Sequence, residues 1–366
     1  MVMDYYTLGR TGLKVSRLAL GTMTFGTEWG WGADQAGARA IFDAYVEAGG
    51  NLFDTADLYT GGTSEAWLGQ VIAERGLRDR AVIATKFSYN AEPGNPNAGG
   101  NGRKNILRAV EGSLKRLGTD YIDLYILHTW DRFTPVEEVM RTMDDLVRSG
   151  KVLHVGLSDV PAWYASRAQA VAELRGWEPV SALQLEYSLA ERSIEHEFVD
   201  LGRETGAGIM VWSPLASGLL SGKYKAEDSG AGRLDQMRNS GNPAFAKFTD
   251  RNWAVVRELE AVAKELGRSM AQVAVNWVAN RPGVASVLIG ATKLPQIQDS
   301  LGALDFSIPA DLLARLDAVS QPDTPFPYSF FQPALQAGLT GGATVGDKWA
   351  GYAPTRVTAG SFAGVE

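Results

Sequence analysis

Four side chains able to hold or move a proton stand at the ends of short apolar runs. Asp54 closes GNLFD, Lys86 closes AVIATK, and His128 follows YIDLYIL. Tyr59 lies just beyond Asp54, within DTADLYTGG. A carboxylate, a phenol, an amine and an imidazole in one place suit carbonyl reduction, because the alkoxide that forms needs a proton. A free tyrosine, with a pKa of about 10, gives up its proton more readily beside a cation. Lys86 supplies that cation, Asp54 keeps Lys86 protonated, and His128 hydrogen-bonds the substrate oxygen. Singly, each has a plainer role: a cap, a packed loop aromatic, a solvated strand end, a core histidine. Their shared position at strand ends favours chemistry.

The elements that must position them alternate along the chain. Short runs rich in Val, Ile and Leu predict strands at 16–20, 50–54, 81–86, 121–127, 152–157, 181–187, 208–212 and 284–289. Amphipathic stretches between them predict helices at 34–48, 63–74, 103–117, 135–148, 161–173, 194–205, 271–280 and 295–302, with an extra helix at 251–266. Asp34 reads as a helix cap, and Pro135 as a first helical residue followed by Glu137 and Glu138. Eight strands alternating with eight helices predict a closed α/β (β/α)8 TIM barrel rather than an open sheet. The opening DYYTLGRTGLKVS reads as a hairpin closing the barrel bottom. One domain is expected, with a core at about 6–320 and an extension over 321–366. In a barrel, the loops after the strands form the catalytic face, so Asp54, Tyr59, Lys86 and His128 are expected at its mouth.

Composition narrows the function class. The 366 residues carry 35 basic and 42 acidic side chains, a net charge of −7, and no cysteine. Thiolate catalysis, disulfides and cysteine-ligated zinc are therefore excluded. Nothing in this balance suggests a nucleic-acid or membrane partner. The first residues lack a secretory pattern and no apolar run suits a bilayer, so a cytoplasmic protein acting on a small molecule is expected.

DTADLYTGGTSEAWLG, ATKF, DLYILH, VGLSDV, WSPLASGLLSGKY and IGATKLPQIQDSLGAL occur in this order. Together they resemble the aldo-keto reductase family, over about Tyr6 to Asp317. The resemblance implies a catalytic tetrad at Asp54, Tyr59, Lys86 and His128, with Tyr59 as general acid. It also implies NADPH lying extended across the barrel mouth, with NADH as the other possible cofactor. No G-x-G-x-x-G follows a strand, in keeping with a site of this kind rather than a Rossmann site. Gly21, Thr22 and Met23 of GTMTFG are expected to floor the nicotinamide end. Ser158, Asp159 and Gln184 match positions that hold the carboxamide, and Trp212 matches the aromatic that stacks on the ring. The family commonly has Asn where this chain has Asp159, and an anionic Asp accepts a hydrogen bond without donating one. Ser213, Leu215, Gly218, Leu220 and Lys223 are expected around the pyrophosphate, where glycine lets backbone N–H groups approach an anion. Gly290, Thr292, Lys293, Gln296 and Asp299 are expected at the adenosine end, with Thr292 and Lys293 on a 2′-phosphate.

Substrate choice is expected to lie in the irregular loops. Trp29, Trp31, Phe87, Tyr89 and Trp130 suggest a pocket for an apolar or planar carbonyl. PFPYSFF in the tail either walls the site or covers the barrel side. The glycine-rich segment 213–250 is expected to fold over the pyrophosphate. Two further readings use the same residues. One is a lyase in which Lys86 forms a Schiff base, against which the pairing with Asp54 argues by raising the lysine pKa. The other is a non-enzymatic NADPH-binding regulatory subunit, as in the channel-associated branch of the family.

Overall fold

A computed structural model describes residues 3–225, 234, 241–242, 245–343 and 351–358. A hairpin, β1 (Tyr5–Thr7) and β2 (Lys14–Ser16), precedes eight parallel strands. These are β3 (Leu18–Gly21), β4 (Leu52–Asp54), β5 (Val82–Phe87), β6 (Ile122–Leu127), β7 (Val152–Ser158), β8 (Val180–Glu186), β9 (Gly208–Trp212) and β10 (Val284–Ile289). They pair in sequence order, and β10 pairs with β3 to close a barrel. The outer ring is α1 (Gln35–Glu47), α2 (Thr63–Glu74), α3 (Arg103–Leu117), α4 (Val136–Arg148), α5 (Ala162–Arg175), α6 (Phe198–Thr205), α7 (Asp250–Leu266), α8 (Met270–Ala279) and α9 (Leu294–Leu301). Asp34 caps α1 through Gly37 N–H, as expected, whereas Pro135 takes the cap position of α4 rather than its first helical position.

The strand pleat sorts the side chains. Alternate residues point to opposite faces of a sheet, so Leu52, Val82, Ala84, Leu124, Ile126, Ala182 and Met210 fill the barrel interior. Leu8 and Val15 of the hairpin join them from below. Gly9, with φ of 58°, turns against the starts of β8 and β9. A Cβ there would stand 2.4 Å from the Ser181 carbonyl oxygen, so only glycine fits. The intervening residues, among them Phe53, Ile83, Tyr125 and Leu183, pack against the helices.

Three elements were not expected from the sequence. Helix α10 (Ala310–Ser320) docks on α7, burying Leu312 and Leu316 while Arg315 pairs with Glu258 at 2.7 Å. After α11 (Pro333–Leu339), β11 (Arg356–Val357) adds a third strand to the hairpin sheet beside β1. PFPYSFF leaves Phe326, Phe330 and Phe331 exposed, and none of its residues lines the barrel mouth. Most of the middle of 213–250, with Gly230 and Gly232, lies outside the described residues, and with it the expected closure over the pyrophosphate.

Helix α2 carries the chain away from the Tyr59 loop and lies tightly on α3. A Cβ on Gly69 would stand 2.2 Å from the Leu117 carbonyl oxygen, an atom of rigid backbone. Gly69→Ala is expected to destabilise the protein by about 1–3 kcal/mol through overpacking. Thermal denaturation followed by circular dichroism checks this, and an unaltered midpoint would mean that α2 and α3 separate at little cost.

Candidate active site

The period of two brings the polar residues to the mouth. Above Leu52 comes Asp54, above Ala84 comes Lys86, above Ala182 comes Gln184, and above Met210 comes Trp212. The ladder continues past the strand ends. Thr55 N–H donates to the Ala84 carbonyl at 2.9 Å and Asp57 N–H to the Lys86 carbonyl at 3.1 Å. His128 N–H likewise donates to the Phe87 carbonyl at 2.9 Å. These bonds hold the DTADLY segment along β5. Thr60 (φ 49°), Gly61 and Gly62 then turn the chain sharply into α2, leaving Tyr59 over Lys86.

Lys86 is fully buried, and its Nζ donates to Asp54 Oδ1 at 2.6 Å, the Thr55 carbonyl at 2.7 Å and Tyr59 Oη at 3.3 Å. Burial alone would discharge this amine, but Asp54 and Tyr59 outweigh it and hold its pKa above the ordinary lysine value. The other Asp54 oxygen accepts from Gln184 Nε2 at 2.7 Å. His128 stands edge-on to Tyr59, with ring centres 5.8 Å apart, and edge-on to Tyr89 at 5.0 Å. Burial, helped by Lys86, holds its pKa well below the usual histidine range, so the ring is neutral. Its Nδ1 is buried without a hydrogen-bond partner among the described residues. A proton there would be stranded, which favours the tautomer protonated on Nε2.

Asp54, Tyr59, His128 and Gln184 floor a cavity of about 1080 Å³, with Lys86 buried beneath them and not itself part of the lining. The cavity runs from Trp29, Tyr59 and His128, past Trp212, to Ser269, Thr292 and Asp299. Of the expected residues, Gly21, Met23, Trp29, Asp54, Tyr59, His128, Ser158, Asp159, Gln184, Trp212, Ser213, Leu215, Gly218, Lys223, Gly290, Thr292, Gln296 and Asp299 line it. Trp212 Nε1 donates to Asp159 Oδ1 at 3.1 Å, fixing the indole.

Several expected residues are not there. Phe87 follows Lys86 by one position, so the pleat turns it outward, where it is buried against Tyr125 at 4.9 Å between ring centres. Thr22 is buried behind the wall, its hydroxyl spent on the Asp54 carbonyl and Ser64. Leu220 turns into the core. Trp31 backs Trp29, with ring centres 5.5 Å apart, and Trp130 packs on Trp163 and Tyr164. Lys293 is exposed at the rim, capping α9 beside Thr292. In the 213–223 loop, the N–H groups of Ser217, Gly218 and Leu220 are spent on Ser213 and Leu215. An anion there would meet Lys223 and the hydroxyl of Ser213, which line the cavity, rather than those three N–H groups or the Ser221 hydroxyl, which donates to the Gly218 carbonyl at 2.7 Å.

Sequence reading also missed part of the lining. Glu186, two residues beyond Gln184, points into the cavity and pairs with buried Lys247 at 2.9 Å. Burial holds the Glu186 carboxyl up to about 7. The period of two from Gln184 could have found it. Asn242 and Phe245, on the returning end of the long loop, line the far wall. Ser269, the cap of α8, donates to Asp299 Oδ2 at 2.8 Å, so its capping position was its only signal.

The geometry fits a long ligand with a planar head beside Tyr59, an anionic middle beside Lys223, and a polar end near Asp299. A nicotinamide dinucleotide has this form. The profile of the aldo/keto reductase family matches residues 17–321. The chain is 38% identical to the uncharacterized oxidoreductase YrpG of Bacillus subtilis (strain 168), over 87% of this chain and 96% of that one. It is 37% identical to a probable voltage-gated potassium channel subunit beta of Oryza sativa subsp. japonica, over 87% and 97%. It is 32% identical to the aryl-alcohol dehydrogenase GME11368 of Pestalotiopsis microspora, over 87% and 82%. With this barrel, this mouth and a profile match across most of its length, the chain belongs to the aldo/keto reductase family.

Proposed function

We propose that the protein reduces aldehydes or ketones to alcohols, reversibly, with NADPH as preferred cofactor and NADH as a weaker substitute. The observation that carries this reading is the Asp54–Lys86–Tyr59 chain, in which buried Lys86 joins two residues of the cavity floor from beneath. The dinucleotide would supply the hydride. Tyr59 Oη gives its proton to the substrate oxygen as negative charge develops there. Lys86 stabilises the phenolate left behind, and Asp54 keeps Lys86 charged. His128, neutral and protonated on Nε2, steers the oxygen toward Tyr59 without being an acid itself. Met23, Trp29, Tyr89 and Val160 give the substrate end an apolar and aromatic lining, suited to planar or apolar carbonyls. The name of the aryl-alcohol dehydrogenase relative points the same way. Turnover of NADPH, read as loss of its absorbance against a panel of aldehydes, ketones and quinones, tests the reading. No oxidation with any member would sink it.

For the cofactor, Thr292 on the cavity wall and Lys293 at the rim favour a 2′-phosphate. NADPH is expected to bind tighter than NADH, and Lys293→Ala to remove much of the difference, about tenfold for a charged hydrogen bond. Equal dissociation constants for the two cofactors in the native protein would overturn this preference.

The channel-subunit name of the rice relative favours a second reading, a nucleotide-binding subunit of a membrane complex on the same barrel. Recovery of the protein in a stable complex with a channel, without turnover on the panel, would support it. Schiff-base chemistry fits the site poorly, since Lys86 is fully buried and held as an ammonium by Asp54. Borohydride in the presence of a carbonyl substrate is expected to leave Lys86 unmodified.

A further inference from the structure

We propose that Asp159 makes the cavity hold the oxidised nicotinamide dinucleotide more tightly than the reduced one, by setting a carboxylate beside the place where the nicotinamide ring binds. The proposal rests on the reductase reading above. Asp159 follows β7 with φ of 45°, a left-handed conformation that Asp and Asn adopt more readily than most residues. Its Oδ1 is held by Trp212 Nε1 at 3.1 Å, and both side chains line the cavity next to Ser158 and Gln184. The same backbone conformation would accept asparagine. An asparagine amide is neutral and treats the two cofactor forms nearly alike. A carboxylate does not, because the oxidised ring carries a positive charge and the reduced ring carries none.

The surrounding charges leave this effect standing. Lys86, buried beneath the cavity floor, partly offsets Asp159, equally in both cofactor states. Glu186 also faces it, paired with Lys247 at 2.9 Å; its carboxyl, held up to about 7, titrates within the same range in native protein and in an Asp159 variant alike, so comparison of the two removes its contribution. Tyr89 faces it from the loop after β5, and burial and Asp159 both raise its pKa, so it stays uncharged at neutral pH. Burial, opposed by the Trp212 hydrogen bond and by Lys86, holds the Asp159 carboxyl up to about 6. It is therefore mostly ionised at neutral pH and loses its charge below that value.

The test is equilibrium titration of the whole protein with NADP+ and NADPH, followed by quenching of tryptophan fluorescence, from about pH 5.5 to about pH 8. NAD+ and NADH are titrated alongside. Native protein is compared with Asp159→Asn, a substitution that suits the left-handed backbone. The quantity read is the dissociation constant of the reduced form divided by that of the oxidised form. At about pH 8 it is expected to be about tenfold higher in the native protein than in the variant. It is expected to fall to the variant's value as pH drops through about 6. The 2′-phosphate titrates in the same range, but equally in both forms, so it cancels in the ratio. A ratio unaltered by the substitution at about pH 8, or a native ratio that does not vary with pH, overturns this inference and leaves the reductase reading intact. Failure of both cofactor pairs to bind overturns both.

Discussion

Tyr59→Phe is expected to lower kcat by about 10²–10⁴-fold while leaving NADPH affinity nearly unchanged. The substitution removes one hydroxyl and keeps the ring, which stands edge-on to Trp29 and His128. The loop that carries it is fixed independently, by backbone bonds to β5 and by the Thr60 hydroxyl on the Phe25 carbonyl at 2.7 Å. The packing therefore survives while the proton donor is lost. His128 cannot fill the gap at neutral pH, because burial and Lys86 keep it uncharged. The loss should fall on the chemical step, so kcat and kcat/KM drop together. Single-turnover measurement of dihydronicotinamide oxidation checks this without interference from product release. Near-native single-turnover rates in Tyr59→Phe would remove Tyr59 as the acid, and the mechanism would have to be rebuilt around His128.

The barrel was legible because its signals are local. Helices at 63–74 and 103–117 form between the same residues in the structure, where an acidic first turn or a following glycine marks the ends. The strand-end position of Asp54 and Lys86, and of His128 just past its strand, came from apolar runs closing on a polar residue. The pleat then turned all three inward. Phe87 shows the limit of that reasoning. It sits next to Lys86, yet the same pleat sends it to the opposite face. Trp31 was placed at the site by its nearness in sequence to Trp29, and Trp130 by its nearness to His128, whereas Trp31 packs behind Trp29 and Trp130 packs on Trp163 and Tyr164. Helix α10 did carry a readable signal, with Pro309 before it and Leu312 and Leu316 one turn apart. Strand β11 carried almost none, since two residues pair with β1 through backbone alone. Lys247 and Glu186 are far apart in the chain, and no local pattern announces that the loop returns to set one on the other.

Lys86→Met is expected to cost both activity and stability, and the two losses can be separated. Among the described residues, the substitution removes the one cation that bonds Asp54, a carboxylate just 2% exposed, and leaves it the Gln184 amide at 2.7 Å. Breaking one side of a buried pair typically costs about 3–5 kcal/mol, mostly the penalty of an uncompensated buried charge. That penalty has a definite pH dependence. Burial already pushes the Asp54 carboxyl upward, and Lys86 is the main force pulling it back. Without Lys86, the folded-state pKa lies further above the unfolded value. A raised acid pKa destabilises the fold above that value, and the penalty fades as pH falls and the carboxyl takes up a proton. The gap in melting temperature between native protein and Lys86→Met should therefore narrow in acid and widen toward neutrality. Adding Asp54→Asn removes the stranded charge and should recover most of the lost stability, because a buried pair replaced on both sides is often neutral. It should not recover turnover, since Tyr59 still lacks a cation to stabilise its phenolate. Asp54→Asn alone should be the mildest of the set, because it reaches Tyr59 only through Lys86. Melting curves across pH, together with kcat for the two single variants and the double, give every term. A Lys86→Met protein as stable as native at neutral pH would show that Asp54 and Lys86 are not held as an ion pair. A double variant with restored turnover would show that Tyr59 does not need the charge beside it.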